Sequence, residues 1–366
     1  MGFQCGIVGL PNVGKSTIFN ALTSAKAEAA NYPFCTIDPN MGIVRVPDPR
    51  LEKIAEHIPP EKLVPATMVF VDIAGLVKGA SKGEGLGNQF LGHIRETQAI
   101  AHVVRCFSDP NVIHVDGSVD PIRDISVIDT ELILADLETI NKRFVTIQKA
   151  AQAGDKKSAA IMGVLGPVKN ALESGRPARE LRLSEDELAQ IRDFHLITAK
   201  PVMYVANIDD KDIGAKEPNP YVKQLLEYAK KEKSPVVSIC GKIEAEISEL
   251  PDEEKVEFLR EMGMDEPGLN KVIRAGYELL GLQTFFTAGP KEVKAWTIQK
   301  GWRAPQAAGV IHTDFEKGFI KAEVYHYDDL IRLKSEQAIR EAGLLRLEGK
   351  EYLVKDGDIM HFRFAV

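Results

Sequence analysis

Lys15 and Ser16 end the run GLPNVGKS, residues 9–16, in which Gly9 and Gly14 precede an ammonium and a hydroxyl. The spacing is G-x-x-x-x-G-K-[ST], and its chemistry is the grip on a chain of phosphates. Glycines let the backbone turn its N–H groups toward one concave point, and the positive end of a following helix adds to that field. Lys15 supplies a point charge for the β and γ oxygens, and the Ser16 hydroxyl offers a ligand to Mg²⁺. The context fits, since an apolar strand (Cys5 to Gly9) enters the run and a helical pattern, STIFNALTSA, leaves it. Asn12 inside the run has two readings: a ligand that helps hold potassium beside the phosphates, or a side chain that only hydrogen-bonds the loop.

A second carboxylate and glycine stand in FVDIAG, where Asp72 and Gly75 form D-x-x-G at the end of an apolar strand. Such an Asp binds the metal through its water shell, and the Gly amide reaches the γ-phosphate. Lys15, Asp72 and Gly75 are therefore the candidate catalytic groups. Between the two motifs, NYPFCTIDPN supplies Thr36, which joins Ser16 as a candidate Mg²⁺ ligand that closes only on a triphosphate; a Pro-rich surface turn is the alternative. After Gly75 comes LVKGASKGEGLGNQF, whose glycines read as a mobile second switch. Leu76 occupies the place where a water-orienting glutamine is expected, so hydrolysis should be slow unless a main-chain group, an ion or a partner assists. His93 is close in sequence, and a solvated or capping role is the stronger reading for it.

The base is the business of YVANIDDKD, residues 204–212. A guanine-reading loop carries Asn-Lys-x-Asp, and here Asn207 and Asp210 flank Ile208 in the lysine's place. Guanine presents two N–H donors that one carboxylate accepts together, whereas adenine presents a lone pair at N1 and a donor at N6. Loss of the lysine weakens guanine reading without creating adenine reading, which would fall to main-chain groups around Asn207 and Ile208. The later stretch VVSICGKIEAEI lacks a Ser-Ala-Lys, which weighs further against strict guanine selectivity. ATP is favoured and GTP stays open.

The elements that must hold these groups follow from periodicity. FQCGIVGL, ATMVFVDIAG, AIAHVVRCF, PVMYVANI and SPVVSIC are short apolar strands alternating with helices, the pattern of a parallel α/β sheet covered on both faces. From about residue 129 to 195 the alternation stops, and two amphipathic stretches joined by QAGDKKSAA read either as a projecting helical arm or as cover for the sheet. Ser184 with Glu187 opens one of these helices as a capping box. Beyond residue 282, alternating strands around one helix make a small mixed-sheet module.

The 366 residues are 44% hydrophobic and 27% charged with a net charge of −7, an ordinary globular balance that excludes a broadly basic nucleic-acid binder. Four widely spaced cysteines point to reduced thiols. No signal segment precedes the first strand, and no apolar run approaches the roughly 18 residues that span a bilayer. A cytoplasmic monomer without membrane contact is expected.

Taken together, GLPNVGKST, NYPFCTIDPN, DIAGLVKGASKGEGLG and APQAAGVIHTDFEKGFIKAEV stand in the order of the YchF/Obg-like ATPase family, which the chain resembles over its whole length. The resemblance implies an OBG-type P-loop domain at 1–128 and 196–282, an inserted α-helical coiled-coil arm at 129–195, and a C-terminal α+β TGS domain of ubiquitin-like β-grasp type at 283–366. It implies binding to the ribosome or its RNA, and ATP in preference to GTP. Its nucleotide contacts fall on Asn12, Val13, Gly14, Lys15, Ser16 and Thr17, its base loop on Asn207 and Ile208, and its Mg²⁺ ligands on Ser16 and Thr36. Asp210 departs from the glutamate many members carry. Three functions follow: a slow ATP hydrolase governed by nucleotide state on the ribosome, an Obg-type GTPase, or a nucleotide-sensing module with negligible turnover. From Gln283 onward 13 Lys or Arg face 12 Asp or Glu, so RNA contact there is implied by resemblance and not by charge.

Overall fold

A computed structural model describes residues 3–24, 40–73, 86–114 and 117–365. In chain order the first elements are β1 (Gln4–Val8), α1 (Lys15–Ser24), β2 (Met41–Arg45), α2 (Arg50–His57), β3 (Lys62–Val64), β4 (Thr67–Asp72), α3 (Leu86–Glu96) and β5 (Ala99–Arg105). Next come α4 (Pro121–Gln152), α5 (Lys156–Glu173), α6 (Glu185–Gln190), β6 (Val202–Asn207), α7 (Pro220–Glu232), β7 (Val236–Ile239), α8 (Gly241–Glu249), α9 (Asp252–Glu261) and α10 (Gly268–Leu279). The last are β8 (Leu282–Ala288), β9 (Glu292–Gln299), α11 (Ala304–Ile311), α12 (Thr313–Lys317), β10 (Phe319–His326), α13 (Tyr327–Leu333), α14 (Glu336–Glu341), β11 (Arg346–Glu348) and β12 (Asp358–Phe364).

Two units result, one from residues 3–42 and 69–276, the other from 43–68 and 277 onward. The first holds β1, β5, β6, β7 and most of β4 from a sheet of order β2-β4-β1-β5-β6-β7, in which the β4–β1, β1–β5, β5–β6 and β6–β7 pairs are parallel. Every residue of β5 and of β6 is buried, which is why both read as continuous apolar runs and not as alternation. The expected α/β sheet is present. Its central strands end at Val8, Arg105 and Asn207, and those ends carry the site.

The helical insertion starts earlier than residue 129. Asp120 caps α4 by accepting from Ile122 and Arg123 N–H, with Pro121 at the first helical position. Buried residues of α4 stop at Ile140, and the helix beyond that pairs with α5 across a three-residue turn, so the two must run antiparallel. Its root thus covers the sheet while its far half packs on its neighbour. Ile133, Ile140, Leu165, Val168 and Leu172 form the insertion's core, closed by Ile191, Phe194 and Leu196. The Ser184–Glu187 capping box opens α6 as the spacing predicts.

A buried polar cluster fastens the root of the insertion to the sheet. Arg179 donates to both carboxylate oxygens of Asp129 at 3.0 and 2.9 Å and to Glu232 at 3.4 Å, while Tyr204 and Tyr228 donate their hydroxyls to the same glutamate. His102 of β5 lies 5.7 Å, ring to ring, from Tyr204. Burial, and after it the Arg179 charge, lowers His102 to about 3 from the 6.5 of an unperturbed imidazole. Between those values the unfolded chain binds a proton that the native state refuses. The stability present above pH 6.5 is therefore lost as pH falls toward 3, by at most ~1.4 kcal/mol per pH unit. His102→Gln is expected to flatten the acid limb of denaturant-measured stability between pH 6.5 and 4; an unchanged slope would remove His102 as its cause.

The second unit has strand order β11-β10-β12-β8-β9-β3. β8 and β9 form an antiparallel hairpin, β12 runs parallel to β8, and β10 is antiparallel to both β12 and β11. With β3 set aside this is the β-grasp order, its first and last strands parallel at the centre, over a core of Phe285, Ile298, Ala304, Ala308, Val324 and Met360. Residues 43–68 were expected in the first domain and instead group with this unit. The reason is specific: Lys62, Leu63 and Val64 add a strand parallel to Glu292, Val293 and Lys294, and Arg50 bonds Asp356 at 2.6 Å. No helix among the described residues is long and apolar enough to cross a membrane.

Candidate nucleotide site

β1 delivers the chain to Gly9, whose φ of +156° and close approach to the Val103 carbonyl, 2.6 Å from where a Cβ would sit, admit no side chain. Asn12 takes a left-handed φ of 61°, and Gly14 a φ of 94°. A Cβ on Gly14 would lie 2.3 Å from Asn207 Nδ2. These are the backbone conditions for a loop of inward N–H groups, and they explain why both glycines are needed. α1 begins at Lys15, with Ile18 N–H closing on the Gly14 carbonyl at 3.0 Å. Ser16 and Thr17 are exposed at this helix start, while Val13 is buried. The Asn12 side chain donates to the Ile113 carbonyl at 3.3 Å, the loop hydrogen bond that was one of its two readings.

Lys15 is 7% exposed and faces Asp72 at the end of β4. Burial lowers the Lys15 pKa and the Asp72 charge partly restores it; burial raises Asp72, with Lys15 opposing. Asp72 Oδ1 is buried without a hydrogen-bond partner among the described residues. An orphaned carboxylate oxygen facing a buried ammonium, at a helix start that exposes a serine, suits a hydrated divalent cation on a polyanion. Thr36, Gly75, Leu76 and the glycine-rich run to residue 85 lie outside the described residues. His93 is exposed on α3.

The base side is built around Asn207, the last residue of β6. Its Nδ2 donates to the Val13 carbonyl at 2.9 Å, and its Oδ1 accepts from Gly241 N–H at 2.9 Å. The side chain is thus a strut between the phosphate loop and the start of α8, buried to 5% exposure. Ile208 corrects an expectation. The loop was given no ordering group in place of the lysine, yet Ile208, which also lines the cleft, is partly buried against the cluster of Cys240, Ile243, Ile247 and Leu259, and that packing helps hold the turn. Its N–H donates to the Ile239 carbonyl at 2.9 Å, and the Asn207 carbonyl accepts from Cys106 N–H at 2.8 Å. Much of the main chain expected to read adenine is therefore already committed to the fold.

Asp210 follows in a short 3₁₀ turn and pairs with Lys242 of α8 at 3.2 Å. Asn12, Gly14, Phe107, Ile208, Asp210 and Lys242 line one cleft of about 650 Å³, which joins the phosphate loop to the base loop. That volume accommodates a nucleotide-sized ligand.

Arg105 escaped the sequence reading. Fully buried at the end of β5, it donates to the carbonyls of Phe107, Asp109 and Val112 at 3.1, 3.2 and 2.9 Å and stacks on the Phe107 ring. It holds the cleft wall 107–112 in shape. The one available signal was a cation closing an otherwise apolar run. Arg105→Ala leaves three carbonyls without their charged donor and is expected to cost on the order of 3 kcal/mol in urea unfolding; a loss under 1 kcal/mol would make the contacts incidental.

Comparison with known proteins gives the family. Residues 4–150 match the family model described as "50S ribosome-binding GTPase", and residues 282–365 match the model of the YchF GTPase C-terminal region, described as a protein of unknown function. The "Ribosome-binding ATPase YchF" of Escherichia coli O157:H7 is 59% identical over 366 residues, and that of Haemophilus ducreyi 58%, each with 100% of both chains covered. The solved YchF GTPase of Schizosaccharomyces pombe superposes with a TM-score of 0.88 at 41% identity, covering 99% of this chain and 98% of that one. The names divide over the purine but agree on the family. This chain belongs to the YchF family.

Proposed function

We propose that the protein is a ribosome-associated ATPase, acting as a cytoplasmic monomer whose nucleotide state governs ribosome binding. The observation that carries the ATP reading is the base loop, where Ile208 packs into the protein in place of a guanine-ordering lysine and Lys242 is paired with Asp210. In this reading Asn12 to Thr17 wrap the triphosphate through main-chain N–H groups, and Lys15 bridges the β and γ oxygens. Ser16 and Thr36 would hold Mg²⁺ directly and Asp72 through its water; when bound, the ion neutralises charge on those oxygens. Asn12, Gly14 and Asn207 hold the loop's shape, and the Gly75 amide would reach the γ-phosphate. Leu76 offers no polar atom to the attacking water, so turnover is slow. Asn12 is engaged with Ile113, which supports a loop role over a potassium site; equal turnover in sodium and potassium is the expected result.

Isothermal titration with Mg²⁺-ATP and Mg²⁺-GTP tests the reading, and ATP is expected to bind at least about tenfold more tightly. Equal affinities would favour the GTPase alternative, which the retained Asp210 carboxylate keeps specific. Co-sedimentation with ribosomes in the presence of ATP, ADP or neither tests the second half. A ribosome-bound fraction indifferent to nucleotide would leave only a binding module.

A further inference from the structure

Asp210 is the one element of the guanine tetrad, besides Asn207, that this chain keeps, and its carboxylate does not stand alone. Lys242 Nζ, on the first turn of α8, lies 3.2 Å from Asp210 Oδ2. Both side chains line the cleft that continues from the phosphate loop. The strut from Asn207 to Gly241 N–H sets the start of α8 against the base loop, one residue before Lys242. Position, then, is fixed by buried main chain even though the pair itself is partly exposed, at 43% for Asp210 and 69% for Lys242.

The chemistry of the two purine edges gives this pair a meaning. A free carboxylate accepts from guanine N1–H and the exocyclic amine together and repels the lone pair of adenine N1. An ammonium donating to that carboxylate competes with guanine for the same oxygens and neutralises the charge that repels the adenine N1 lone pair. We propose that Lys242 is a specificity-determining positioning residue that acts through Asp210, turning a guanine-type carboxylate into a surface that admits adenine. This deepens the ATP reading of the same site and rests on it.

Nucleotide binding by calorimetry to the full-length protein, with Lys242→Met, Lys242→Arg and Asp210→Asn alone and Lys242→Met combined with Asp210→Asn, separates the two ideas. Lys242→Met is expected to shift the ATP-to-GTP affinity ratio toward GTP by about threefold to tenfold, the size set by an ion pair at a partly wet rim. Lys242→Arg keeps the cation and should keep the wild-type ratio. In the Asp210→Asn background, the methionine substitution should no longer move it. A ratio unmoved by Lys242→Met, or moved equally with and without the carboxylate, overturns the proposal. Equal wild-type affinity for both purines overturns the ATP reading instead, while the Lys242→Met shift is still read from the GTP titration.

Discussion

Lys15→Ala is expected to weaken binding of purine triphosphates by a hundredfold or so and to abolish measurable hydrolysis. The loss corresponds to about 2.7 kcal/mol, the size of one or two charge-assisted hydrogen bonds to phosphate oxygens. The same substitution should leave the unliganded protein as stable as before. Lys15 is buried, and burial disfavours its charge by more than Asp72 restores, so the desolvation relieved in the empty site offsets the cost of leaving Asp72 without its counter-charge. Calorimetric titration and thermal melting together check both halves. Retained affinity for both triphosphates in a folded Lys15→Ala sample would dismantle the site as described. A fall in melting temperature matching the fall in affinity would instead make Lys15 a structural residue.

The second large effect is at Asn207. Truncation to alanine leaves the Val13 carbonyl and the Gly241 N–H buried without partners, at about 1–3 kcal/mol for each group. Stability should drop by about 3 kcal/mol, and nucleotide affinity by tenfold or more, because the phosphate loop loses its strut. Asn207→Asp dissects the two ends. It still accepts from Gly241 N–H but sets a carboxylate oxygen against the Val13 carbonyl, so it should regain part of the stability and little of the affinity. Urea unfolding and titration of both variants distinguish this from a direct base contact, for which affinity alone would fall.

How much of this was visible in the residues depended on whether the cause was local. The phosphate loop was legible because Gly9 and Gly14 answer to backbone angles and close approaches at fixed spacing. The parallel sheet was legible because β5 and β6 are buried on both faces and have no polar alternation to confuse them. The start of α4 was missed by some eight residues, although Asp120 followed by Pro121 is itself a helix-start signature. Ile208 could be seen to be apolar, but its partial packing could not, since the cluster it meets comes mainly from α8 and α9. Arg105 went unnoticed because its three carbonyl partners belong to a loop with no pattern of its own. The pairing of β3 with β9 joins segments far apart in the chain, and no periodicity records it.

That last pairing bears on any attempt to take the molecule apart. The chain passes from one unit to the other at residues 42–43, 68–69 and 276–277, so neither unit is a continuous stretch that an expression vector could carry alone. A fragment ending near residue 276 would keep Lys62–Val64 but lose the strand it pairs with, exposing a naked sheet edge in the middle of its sequence. Excising 43–68 is no remedy, because it removes Ile43 to Arg45 of β2 and Thr67 and Met68 of β4; simple truncation should yield aggregates.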